Sequence, residues 1–138
     1  MWFYYALLSA LFAAFTAVFA KIGVSNINSN LAIGIRTSVI LVLIWSIIFL
    51  HGDAKDIRSL SRFNIVFLVL SGIATGLSWL FYFKALQTGK VSQVAAVDKL
   101  SVAIAILLAA LFFKETLTLR TMIGALLIIS GTLVFALK

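Results

Sequence analysis

The chain has 138 residues, of which 64% are hydrophobic and 11% charged, with a net charge of +7 and neither cysteine nor proline. A soluble domain of this size needs far more polar surface, so the composition excludes one and points to an integral membrane protein. The lack of cysteine excludes disulfides and thiolate metal sites, the lone His51 excludes a histidine cluster, and the basic residues are spread over helix ends, where they meet lipid headgroups instead of forming a nucleic-acid surface.

Five apolar spans follow one another. The first covers about residues 2–20. Val18-Phe19-Ala20 imitates a signal-peptide cleavage site, but "MWFYY" carries no Lys or Arg and the run exceeds the ~7–15 residues of a signal core. A retained helix is expected, with Trp2, Tyr4 and Tyr5 in the interfacial belt. Lys21 and the polar link "SNINSN" close it. The second span, about 31–50, carries Arg36 near its start. A loop of mixed charge follows, "HGDAKDIRSLSR", in which Gly52 breaks the helix and Asp53, Asp56, Lys55 and Arg58 form a wet surface.

The third span, about 63–85, contains Gly72 and Gly76 at GxxxG spacing, which lets helix backbones approach closely in lipid. Phe81, Tyr82 and Phe83 near its end read as belt and packing aromatics. The link "LQTGK" places Gly89 at a helix end. The fourth span, about 91–113, is read as a helix, and "KETLTLR" with Glu115 joins it to the fifth, about 121–137. Each span is near the ~20 residues that cross a ~30 Å hydrocarbon core, and short links make neighbours antiparallel. Strand alternation is absent. The expected fold is an all-α, multi-pass membrane protein forming one domain over residues 1–138.

Charges inside the spans are the candidate functional residues. Asp98 lies about 10 Å along the fourth helix at 1.5 Å per residue, where an ionised side chain costs at least ~2.5–3.5 kcal/mol. Adjacent helical residues point ~100° apart, so Asp98 and Lys99 are not expected to neutralise each other. Arg36 and Lys84 are candidate partners for Asp98, and Glu115 for Lys99. Asp98, Lys99, Arg36 and Lys84 are therefore the candidates for a solute or proton pathway, because intramembrane ionisable residues mark such paths. Glu115 reads as a solvated helix-end carboxylate paired with Lys114 or Arg120. No nucleophile elbow, glycine-rich phosphate loop, carboxylate pair or metal-spaced ligand set occurs, so neither an enzyme nor a cofactor is expected. Ser78 in "GLSWL" sits inside an apolar helix and forms no hydrolase motif.

The stretch "SGIATGLSWLFYFKALQTGKVSQVAAVDKLSVAIAILLAALFFKETLTLRTMIGALLIISGTLV" resembles the EamA-type repeat of the drug/metabolite transporter superfamily. It has a glycine-bearing helix ending in aromatics and Ala85-Leu86, a polar link, and a small-residue-rich helix ending in Glu115 before "TL". A last helix follows with Gly124 and Gly131, and "ALLSALFAAFTAVFAKIG" looks like the family's opening helix. Many such repeats carry a proline in the fourth helix near the place of "DKLS"; this chain has none, so a proline-based break is not expected. The chain is most similar to the small five-helix branch of bacteria and archaea, which implies a multi-pass protein of a prokaryotic cytoplasmic (inner) membrane. The resemblance also implies one half of an inverted-repeat, ten-helix plan that moves small solutes.

One such half needs a second, and a dimer is the minimal carrier by alternating access. Lys55, Arg58, Arg62, Lys114 and Arg120 fall on the N-terminal side, and Lys21, Lys84, Lys90 and Lys138 on the other. That near balance gives no firm orientation, so dual topology and an antiparallel homodimer are expected. The helix-embedded cations outnumber Asp98, which leans towards an anionic or zwitterionic solute such as an amino or organic acid. Two other classes compete: a non-transporting structural or accessory subunit, and a pore or lipid-translocating protein.

Overall fold

A computed structural model describes residues 1–137; Lys138, counted in the charge balance above, lies outside the described residues. The described residues are helical or in links, with no strand among them. In order come α1 (Trp2–Val24), α2 (Ser29–His51), a 3₁₀ helix (Asp53–Ser59), α3 (Arg62–Thr88), α4 (Val91–Asp98), α5 (Leu100–Phe113) and α6 (Leu119–Ala136). Five spans, with α4 and α5 together forming the fourth, are long and apolar enough to cross a membrane. The helices outrun the expected spans at several ends, because polar end residues such as Lys21, His51 and Gln87 continue the helix into the interface.

Few side chains are enclosed. Ala17, Val24, Ile33, Phe83, Leu86 and Ala103 are the buried apolar ones, while Leu, Ile and Phe side chains along every span remain exposed. In water that surface would drive aggregation; in a bilayer it faces hydrocarbon tails, which solvate it at no cost.

Several hydroxyls inside the spans bond within their own helices. Ser38 donates to the Gly34 carbonyl (3.0 Å), Ser46 to Val42 (2.7 Å), Thr75 to Ser71 (2.9 Å) and Ser130 to Leu126 (2.8 Å). Each bond lies one turn back, the local solution available to a hydroxyl where no water can reach it.

The described chain groups into two compact units, residues 20–87 and residues 1–19 with 88–137. In the first unit, Asn28 caps α2, its side chain accepting from the Asn30 backbone N–H at 2.8 Å. Gly52 ends α2 in the left-handed conformation (φ 75°), as its place in the sequence suggested, and returns its N–H to the Phe49 carbonyl at 3.2 Å. The following charged loop is a 3₁₀ helix, and Ser61 caps α3 by accepting from the Asn64 N–H at 3.1 Å. The C-terminal end of α3 is tied to α1 and its following link. Lys21 Nζ donates to the Leu86 carbonyl, and Gln87 Nε2 donates to the Ile27 carbonyl at 2.8 Å. Carbonyls at a helix end have no partner within the helix, so a lysine there supplies both a donor and a favourable charge.

In the second unit α6 packs against both α4 and α5. Thr132, buried on α6, turns its hydroxyl to the Ile129 carbonyl at 2.8 Å. Thr118 caps α6 by accepting from the Thr121 N–H at 3.2 Å. Lys114 ends α5 with φ 53°, a left-handed conformation in which a side chain other than glycine is strained. Lys114→Gly is therefore expected to raise stability by about 0.5–1 kcal/mol, read as a higher midpoint in thermal unfolding in detergent.

Candidate functional site

The fourth span departs from expectation at its charged residues. It is not one continuous helix: α4 stops at Asp98, Lys99 stands between the helices, and α5 starts at Leu100. The Lys99 N–H bonds to the Ala96 carbonyl and the Val102 N–H to the Lys99 carbonyl, both at 3.0 Å and both three residues back. With φ −70° and ψ −9°, Lys99 adopts a tight 3₁₀-like turn where an α-helix would bond four residues back. No proline or glycine causes this interruption.

The break also changes how the two charges meet. Lys99 Nζ lies 3.5 Å from an Asp98 carboxylate oxygen, the one ion pair among the described residues. The ~100° separation that argued against this pairing holds for a regular helix with short side chains. Here the residue is out of helical register, and a four-carbon stem is long enough to fold back over its neighbour. The signs also suit the two helix ends, with the ammonium by the C-terminus of α4 and the carboxylate by the N-terminus of α5. The pair stays open: the Lys99 side chain is 57% exposed and that of Asp98 37%.

Arg36 sits elsewhere, on α2 within the 20–87 unit. Its guanidinium carbon lies 4.1 Å from the centroid of the Trp79 ring and 5.4 Å from that of Phe83, both on α3. Among the described residues no carboxylate pairs with it; Tyr82, next to Phe83 on α3, is its electrostatic neighbour. Phe83 is thus the floor of a cation site, and Trp79 is a site residue that sequence reasoning passed over. The available signal was their spacing, since residues four apart share a helix face.

Lys84 is exposed on α3 with no ion pair among the described residues. Adjacent to Phe83 in sequence, it projects about 100° from it around the helix. Glu115 is exposed in the link after α5 and pairs with neither Lys114 nor Arg120, against the expected helix-end pair. The pairings weighed for Asp98 with Arg36 or Lys84, and for Lys99 with Glu115, are replaced by the Asp98–Lys99 pair itself. His51 places Nδ1 3.0 Å from the Ile47 carbonyl at the exposed end of α2. No three His, Asp or Glu side chains gather as a metal site among the described residues.

The GxxxG pair is not used within the chain. A Cβ built on Gly72 or Gly76 meets no atom within 4 Å, so the close helix approach this spacing allows does not occur there among the described residues. Gly76→Ala is expected to leave the chain folded and slightly firmer, by up to about 1 kcal/mol from helix propensity, as read from the loss of helical circular dichroism on heating.

Comparison with known proteins adds to this geometry. The family model described as the EamA-like transporter family matches residues 1–137. A Sinorhizobium protein described as an uncharacterized transporter in the cobO 3′ region is 46% identical over 135 residues, covering 98% of this chain and 96% of its own. An uncharacterized protein of Methanocaldococcus jannaschii is 31% identical over 132 residues, covering 96% of this chain and 93% of its own. No solved structure matches the chain.

Proposed function

The chain belongs to the EamA-like transporter family, and from that premise we propose that it is a secondary transporter that moves a small organic solute by alternating access as an antiparallel homodimer. The observation that carries this reading is the interrupted fourth span with an ion pair at the interruption. Helices broken inside the membrane leave backbone and charge available to a solute, and carriers place such breaks at their binding sites. Two ionised side chains at that depth are costly for a helix that only fills space.

Two further features support the dimer. The protomer supplies five spans, half of an inverted-repeat plan, and the open α3 face at Gly72 and Gly76 is available to a second copy. The nearly balanced basic residues fit insertion in both orientations. The bacterial and archaeal relatives suit a prokaryotic cytoplasmic membrane. No catalytic role is assigned.

The experiment that tests the reading first needs no substrate. Paired reporters, one active only in the cytoplasm and one only outside, are fused after Lys138. Strong signals from both are expected. A signal from one alone removes the inverted homodimer and turns the search to a partner chain, for which the open α3 face would serve an accessory subunit.

A further inference from the structure

We propose that Arg36, held against Trp79, is the receptor for a carboxylate group, which makes the transported solute a small organic acid or amino acid bound through its carboxylate. The inference rests on the carrier reading above and names the chemistry of its solute.

The position is the first argument. Arg36 is the eighth residue of α2 and so lies about 10 Å along the helix. Trp79 lies nine residues before the end of α3, about 13 Å in, and Phe83 five residues before it. Antiparallel neighbours put the start of α2 and the end of α3 at the same membrane face. Arg36 therefore stands nearer the deeper ring (4.1 Å) than the shallower one (5.4 Å). An arginine that only needed to escape the hydrocarbon would snorkel the other way, towards the headgroups.

The second argument is what the rings leave unsatisfied. An aromatic face holds the cation through its quadrupole and covers the flat side of the guanidinium. It does nothing for the in-plane N–H donors, five in number and arranged in a fork that matches a carboxylate. Among the described residues no carboxylate meets those donors, and the neighbouring Tyr82 offers a neutral hydroxyl that carries no counter-charge.

The third argument is charge. Asp53 and Asp56 lie in the 3₁₀ helix and Glu115 in the link after α5, so Asp98 is the one acidic residue within a span, and it already faces Lys99. Arg36 is a cation at depth whose counter-charge is not supplied by the described chain. A solute carboxylate supplies it and takes a bidentate pair of charge-assisted hydrogen bonds. A lipid phosphate has suitable oxygens, but it lies at the interface, about 7 Å outside Arg36 when counted from the start of the apolar run at Leu31.

Trp79 reports on its own site. With Trp2→Phe and Trp45→Phe it is the only indole, and its fluorescence senses displacement of the guanidinium above it. The full chain in neutral phosphatidylcholine nanodiscs is titrated with propionate, succinate, citrate and glutamate, and with propionamide, succinamide and butylamine as uncharged and cationic counterparts. A saturable change with at least one carboxylate and none with the amides or the amine is expected. Arg36→Lys should weaken that binding about 10- to 100-fold, because the fork is lost while the charge stays. Arg36→Gln should abolish it, with helical circular dichroism and monodisperse elution showing that the variant still folds.

Silence across all four carboxylates, an equal response to the amides or amine, or undiminished carboxylate binding in Arg36→Gln overturns the proposal. So does a Trp79 change that needs only added phosphatidylglycerol, which would make lipid the occupant. Uptake of the same compounds into proteoliposomes separates this inference from the one beneath it. Uptake of an amide or the amine, unchanged in Arg36→Gln, removes the carboxylate receptor and keeps the carrier. Carboxylate binding with no uptake of any bound compound keeps the receptor and removes the carrier.

Discussion

Asp98→Asn is expected to lower solute flux by about 10- to 100-fold, the effect of losing one charge-assisted contact worth ~1.5–3 kcal/mol, while the protein still inserts and folds. Asparagine has the shape of aspartate and removes a charge from the membrane, so insertion becomes easier. What changes is the partner left at the break. Lys99, 3.5 Å from the carboxylate in the native chain, loses its counter-charge and gains a reason to hold an anion or to swing to the interface. The double variant Asp98→Asn with Lys99→Gln separates a pathway from a structural clasp. A clasp is relieved when both charges go, so flux recovers; a pathway stays shut. Continued loss in the double variant is expected, measured as initial uptake into proteoliposomes with matched protein content. Full flux in either variant would remove the ion pair from the mechanism.

The second large effect concerns orientation. Ser59→Lys with Thr116→Lys adds positive charge to the N-terminal side, and Ser25→Lys with Ser92→Lys adds it to the other. All four positions are exposed at links or helix ends. Each version should be locked in one orientation, because lysines near span ends resist translocation. Alone, neither should transport, since in the proposed antiparallel homodimer each supplies only one of the two inverted halves. Co-expressed, they should restore flux, and the paired reporters should show one orientation for each. A locked version that transports at the native rate by itself would end the antiparallel homodimer. A monomer or a parallel dimer would then carry the solute.

Much of the fold was legible before any coordinates. Gly52 marked the end of α2, and the polar links marked the other turns, because a bilayer leaves little choice: a backbone that cannot reach water must be helical or close into a barrel, the spans lack a barrel's alternation, and polar runs must lie outside. The candidate site was legible in part. Asp98 and Lys99 stood out because charge in hydrocarbon is costly. Their pairing did not, because the prediction assumed a helix whose hydrogen bonds continue past Lys99. Trp79 was missed because an aromatic side chain in an apolar helix carries no mark of what lies over its face. Gly72 and Gly76 were legible as a packing motif, but the chain itself fills no space beside them.

The sequence by itself thus determined the class, the number of spans and the depth of each charge, since these depend on composition and on position along one chain. Only the tertiary structure decided that the fourth span breaks at Lys99, that Asp98 and Lys99 face each other, and that Arg36 lies over Trp79. Those outcomes turn on which side chains and carbonyls come within a few ångströms, and that is set by helix rotation and packing. A change of one residue in register would turn Trp79 about 100° away from Arg36 while leaving the hydropathy of α3 unaltered.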